Sequence, residues 1–139
     1  MKLHFNQAAG RNAFTGYGAG YVLINGTRHE ANVLVMPDSP VTEWEVQDPA
    51  HLRKEQISRL AGLDVEVLLI GTGAQLRFPP PGLLQPLATA RIGVEIMGTP
   101  AACRTYNILM GEGRKVAAAL IIRESGPMDE PACVRPSPR

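Results

Sequence analysis

The sequence predicts an α/β domain in which an N-terminal antiparallel hairpin precedes a parallel β-α-β-α-β half. Three observations predict it. Asn25-Gly26 sits between two apolar runs, and a type I′ hairpin turn needs positive φ at both of its central residues. Three short apolar runs, over residues 65–70, 94–97 and 116–122, read as strands. The segments between those runs carry helix punctuation, with proline near the start and glycine at the end.

The elements follow in order. Residues 1–18 are weakly patterned and rich in Gly and Asn, with Phe14 and Tyr17 as anchors. Tyr21-Val22-Leu23-Ile24, the Asn-Gly turn, and a run ending Val33-Leu34-Val35 make the hairpin. Pro37 and Pro40 end that pairing, and residues 41–46 alternate as a half-buried strand should. A helix is then expected from an Asp48 N-cap through Pro49 to a left-handed Gly62, with Leu52, Ile57 and Leu60 on its apolar side. Residues 65–70 are nearly continuous in apolar side chains, as in a strand covered on both faces. Leu83, Leu84, Leu87 and Ile92 fall on helical spacing, with Pro86 in the first turn and Gly93 ending the helix. After the strand at 94–97, Thr99 is expected to cap a helix with Pro100 at its first position and Gly113 at its close. The alanines of residues 116–122 suit a helix, but the short length and Ile121-Ile122 favour a strand. Short connections and right-handed crossovers make the second half a parallel sheet, which the N-terminal strands extend or cover. The expected domain spans residues 1–122, and the prolines beyond it mark residues 123–139 as a disordered tail.

Composition excludes several function classes. Lys+Arg 14 against Asp+Glu 13 leaves a net charge of +1, and the longest basic cluster, Arg53-Lys54, runs at once into Glu55. A nucleic-acid partner is therefore not expected. Cys103 and Cys133 are too few for a bridged framework, so a reduced, cytoplasmic protein is expected. The first residues lack a signal-type apolar stretch, and nothing approaches the length of a membrane span. His4, His29 and His51 have no ligand spacing, so no metal is expected. No G-x-S-x-G elbow, Walker loop or H-E-x-x-H occurs, which argues against a common hydrolase and implies no cofactor.

The residues that could carry chemistry gather at the strand ends. Gly71-Thr72-Gly73 follows a buried parallel strand, where open α/β sheets bind ligands. Its glycines either cradle an anion or only permit a tight turn, and a lone G-x-G favours the turn. Glu95 is read as lying in a mostly buried strand, as a base, a ligand anchor or the partner of Arg91 or Arg114. Thr99, Cys103 and Asn107, spaced by four, line one side of a helix. The helix dipole would lower the Cys103 pKa, but no sequence neighbour accepts its proton, and a buried free cysteine serves as a small apolar filler. Asn107 lowers helix stability and wants a partner, which the backbone of the Gly71 loop could supply. Phe78-Pro79-Pro80-Pro81 makes a stiff apolar loop suited to partner contact.

Together, Gly71-Thr72-Gly73, Gly93-Val94-Glu95-Ile96-Met97, the run from Thr99 to Leu109, Glu112-Gly113-Arg114 and Ala117-Ala118-Ala119-Leu120 resemble a small bacterial and archaeal domain family of unknown function. Its mitochondrial relative is an assembly factor for respiratory complex I, the NADH:ubiquinone oxidoreductase. Tyr17-Gly18 and Val41-Thr42-Glu43-Trp44 also fit, and the resemblance covers approximately residues 14–122. It implies a three-layer α/β fold with a mixed central sheet and no established catalytic residue. Members often carry an acidic residue where this chain has Gly98, so any site using that carboxylate is altered or absent here. The first expectation is a non-enzymatic interaction or assembly protein, serving a respiratory NADH dehydrogenase, with a protein partner. The alternative is a small-molecule or nucleotide-binding enzyme using the strand-end crevice. A homodimer through the hairpin edge is a further expectation.

Overall fold

A computed structural model of the chain describes residues 11–46, 48–80 and 82–122. Pro81 and the proline-rich tail expected from residue 123 lie outside the described residues. Strands β1 (Phe14–Gly18), β2 (Tyr21–Ile24) and β3 (Thr27–His29) form an antiparallel sheet in that order. Asn25 and Gly26 turn the β2–β3 hairpin with φ of 50° and 84°, the double positive φ that the Asn-Gly pair predicts. Strand β1 was not evident in the sequence pattern, although its anchors Phe14 and Tyr17 are buried.

The second arm of the expected hairpin divides. Strand β3 ends at His29, and β4 (Val33–Val35) crosses into a different sheet. The buried Asn32 manages the crossing: its Nδ2 donates to Val46 O at 3.0 Å, and its Oδ1 accepts from Ile122 N at 2.7 Å. The alternating segment after Pro40 gives only a two-residue strand, β5 (Thr42–Glu43). Beyond it Val46 N donates to Trp44 O at 2.9 Å, which folds the backbone on itself and ends the ladder.

The expected helix from Asp48 to Gly62 is two pieces. A 3-10 turn (Pro49–His51) is capped by Asp48 Oδ1, which accepts from His51 N at 3.0 Å. Helix α1 (Lys54–Ala61) restarts after extended residues Leu52 and Arg53. The Gln56 side chain fixes the restart by accepting from Arg53 N at 2.8 Å, a capping-box contact. Gly62 ends α1 in the right-handed region, not the left-handed one.

Strands β6 (Val67–Gly71), β7 (Gly93–Met97) and β8 (Val116–Leu120) are mutually parallel and complete a mixed five-stranded sheet ordered β5-β4-β8-β6-β7. Helix α2 (Gln85–Thr89) links β6 to β7, and α3 (Thr99–Gly111) links β7 back to β8. The two crossovers run in opposite directions across the sheet, so right-handed connections place α2 and α3 on opposite faces. Ile57, Leu60 and Leu87 from α1 and α2 pack with Leu68, Ile70, Ala117 and Ala119. Cys103, Tyr106 and Met110 from α3 pack with Phe14, Val22, Leu69, Ala118 and Leu120, so β1 and β2 share the α3 layer. The fold is thus α/β in three layers. Covering on both faces explains why β8 is apolar at every position.

Two punctuation marks act differently from expectation. The left-handed residue after α2 is Arg91 (φ 63°), while Gly93 opens β7. At α3 the N-cap position belongs to Gly98, and Thr99 is the first helical residue. Gly113 does close α3, with φ 82° and paired bonds from Gly113 N to Met110 O and Arg114 N to Leu109 O.

Candidate functional site

The parallel register sets Gly71 level with Met97 on one side and Leu120 on the other, so three strands end together. A Cβ on Gly71 would lie 2.7 Å from the Leu120 side chain and 2.9 Å from Thr99 Oγ1. Glycine there lets the N-terminus of α3 close onto the sheet. Gly73 follows at φ 95°. Its carbonyl accepts from Thr99 N at 2.8 Å, and its N–H donates to Thr99 Oγ1 at 2.9 Å. The Thr99 hydroxyl in turn donates to Ile121 O at 2.7 Å. Thr99 thereby ties the loop after β6 to the end of β8, a different task from capping its own helix.

Thr72 closes the same loop from within. Its N–H donates to Met97 O at 2.9 Å. Its hydroxyl donates to Gln75 O at 2.7 Å and accepts from Arg77 N at 3.1 Å. The Thr72 and Thr99 hydroxyls and N–H groups and both backbone groups of Gly73 therefore already hold partners within the chain.

Beside them lies a mainly apolar groove of about 320 Å³, where Tyr17, Gly18 and Tyr21 face Thr99, Pro100 and Ile122. Tyr17 Oη accepts from Arg104 at 2.6 Å, and Arg28 stacks 3.9 Å from the centre of the Tyr21 ring. The residues around the β1–β2 turn were missed as groove-formers. The signal available for them was the Tyr17-Gly18 pair, because local pattern does not say that this turn reaches the far ends of β6 and β8.

The other candidate residues lie apart from the groove. Cys103 is fully buried between α3 and the sheet. Burial pushes its thiol up to about 12 against an ordinary 9.0, only partly offset by the Arg104 charge. Asn107 Nδ2 donates to Phe14 O at 2.8 Å, and Phe14 N donates to Asn107 Oδ1 at 2.9 Å. Its partner is therefore β1, not the Gly71 loop. Tyr106 packs edge-on against Phe14 at 5.1 Å and donates to Asn12 O at 3.0 Å, and burial raises its pKa.

Glu95 is exposed on the edge strand β7, contrary to the buried setting expected for it. Arg114, one of its two expected partners, pairs instead with Glu66. In the loop, Phe78 and Pro80 are exposed, as is Leu76, whereas Pro79 is buried.

Over residues 14–121 the chain matches the family described as Protein of unknown function (DUF498/DUF598). It belongs to that family. An uncharacterised Rhodobacter capsulatus relative is 37% identical over 113 residues, which are 81% of this chain and 86% of that protein. The human NADH dehydrogenase [ubiquinone] 1 alpha subcomplex assembly factor 3 is 32% identical over 117 residues, 83% of this chain. This chain spans only 63% of that assembly factor's length. A crystal structure of a Bordetella parapertussis protein superposes with a TM-score of 0.77 at 43% identity, covering 83% of this chain and 98% of that one. The DUF498/DUF598 match takes in the whole run from Gly71 to Leu120. No helix among the described residues is long and apolar enough to cross a membrane.

Proposed function

We propose that this domain is a non-enzymatic interaction or assembly protein acting from the cytoplasm on a respiratory NADH dehydrogenase. One observation carries the reading. The side chains and amides best placed for chemistry at the strand ends are committed to internal hydrogen bonds, while apolar Leu76 and Phe78 are exposed on a proline-stiffened loop. A rigid apolar loop loses little entropy on binding, which suits it to a protein partner. The name of the human relative supports the choice of NADH dehydrogenase. The test is crosslinking and mass spectrometry of the tagged chain in its own cells, beside NADH dehydrogenase assembly in a deletion strain. Crosslinks from the loop to that complex and an assembly defect are expected. Normal assembly without a stable partner would overturn the reading.

The apolar groove favours a second reading, a small-molecule or nucleotide-binding enzyme using the strand-end crevice where Gly73 and Thr99 line the groove. Thermal-shift screening against nucleotides and metabolites tests it. A flat response across a broad panel leaves the groove as packing.

A further inference from the structure

We propose that the open edge of β7 takes up an extended segment of a partner protein as a sixth strand, one in which apolar residues flank a basic one. This rests on the partner-binding reading and gives it a second surface.

The sheet order leaves β7 at an edge, and among the described residues no strand lies beyond it. Gly93 N donates to Glu66 O, and Met97 O accepts from Thr72 N, each at 2.9 Å. Backbone direction alternates along a strand, so Gly93, Glu95 and Met97 address β6. Val94 and Ile96 then point two N–H and two C=O groups away from the sheet.

Edges are normally blunted by shortness, proline, lysine or a bulge. Strands β3 and β5 are short, at three and two residues. Strand β1 carries an irregularity between Phe14 and Gly16, and Asn107 occupies the Phe14 backbone. Strand β7 has five residues in unbroken register, with neither proline nor lysine.

Side chains define the occupant. Val94 and Ile96 are half-buried against the α1–α2 core, so apolar neighbours on an added strand would extend that core. Glu95 is exposed on the opposite face, where a basic neighbour complements it. The same charge disfavours a second copy. Antiparallel self-pairing that uses all four outward groups sets Val94 against the copy's Ile96, and Glu95 beside its own image.

Amide hydrogen exchange by NMR on the full chain tests the proposal with two capped hexapeptides, one alternating valine and lysine, the other valine and glutamate. The lysine peptide at millimolar concentration is expected to slow exchange at Val94 and Ile96 by about tenfold or more. The glutamate peptide should not, and Glu95→Lys should reverse the preference. The proposal is overturned if neither peptide protects these amides, or if both protect them equally. It also fails if they are already protected without peptide, by the chain itself at all concentrations or by a second copy as concentration rises. Loop crosslinks in cells without edge protection would sink strand addition and leave the partner reading standing.

Discussion

Asn107 stands in the middle of α3 with its amide laid along β1. Its two bonds satisfy both backbone groups of Phe14 where the β1–β2 register slips, so one side chain does the work of a missing strand neighbour. Replacing it with leucine removes both partners at once in a buried place. Asn107→Leu should therefore destabilise the fold by about 2–4 kcal/mol, seen as a lower urea midpoint. Cys103 sits one turn earlier in the same layer, in surroundings that hold its thiol protonated. Well below pH 9.0 the thiol is neutral in both states. As pH rises towards about 12, the unfolded chain releases a proton that the folded chain keeps, so this contribution to stability is lost across that interval. Melting temperature should fall over that range, and Cys103→Ala should flatten the decline. Tyr106, also raised by burial, adds a slope of the same sign.

Among the elements, the start of α3 is the clearest case of a residue read one position off and in the wrong role, since Gly98 holds the N-cap and Thr99 is first in the helix. Serine and threonine before a proline commonly cap helices, and Thr99 satisfies that pattern. The close approach permitted by Gly71 instead directs its hydroxyl between Gly73 N and Ile121 O. Thr99→Val keeps the shape but strands the Gly73 amide. A loss of about 1–3 kcal/mol is expected, with faster hydrogen exchange at Gly73 than at mid-strand Leu69 as the local sign. The parallel strands and α3 were legible because apolar runs and glycine stops are local signals. The split near Leu52 was not, since it depends on the Gln56 side chain reaching back to Arg53 and onward to Glu45 O at 2.6 Å. Nor was the passage of β4 into the second sheet, because Val33 and Val35 alternate equally well in either one.

For the whole molecule, α1 and α2 cover one face of the sheet, while α3 and the small sheet cover the other. Among the described residues, the loop bearing the exposed Leu76 and Phe78 and the edge strand β7 offer surface outside these layers. Because both loop side chains are exposed, the Leu76→Ser and Phe78→Ser double variant should keep its stability within about 0.5 kcal/mol of the parent. The same variant should lose its crosslinks to the partner in cells. A retained crosslink pattern would move the contact elsewhere on the surface.

The amino-acid order alone determined the α/β class, the parallel half, the Asn-Gly turn and the family signature, because each is written in periodicities or short motifs that neighbouring residues carry. Tertiary structure decided which candidates meet. Gly73 and Thr99 line one groove with Tyr17 and Tyr21, Cys103 and Asn107 turn into the core, and Glu95 faces outward on an edge. The physical reason is that burial and hydrogen-bond partners are set by segments far apart in the chain. Asn107 and Phe14 are separated by 93 residues, and no local pattern records that they touch.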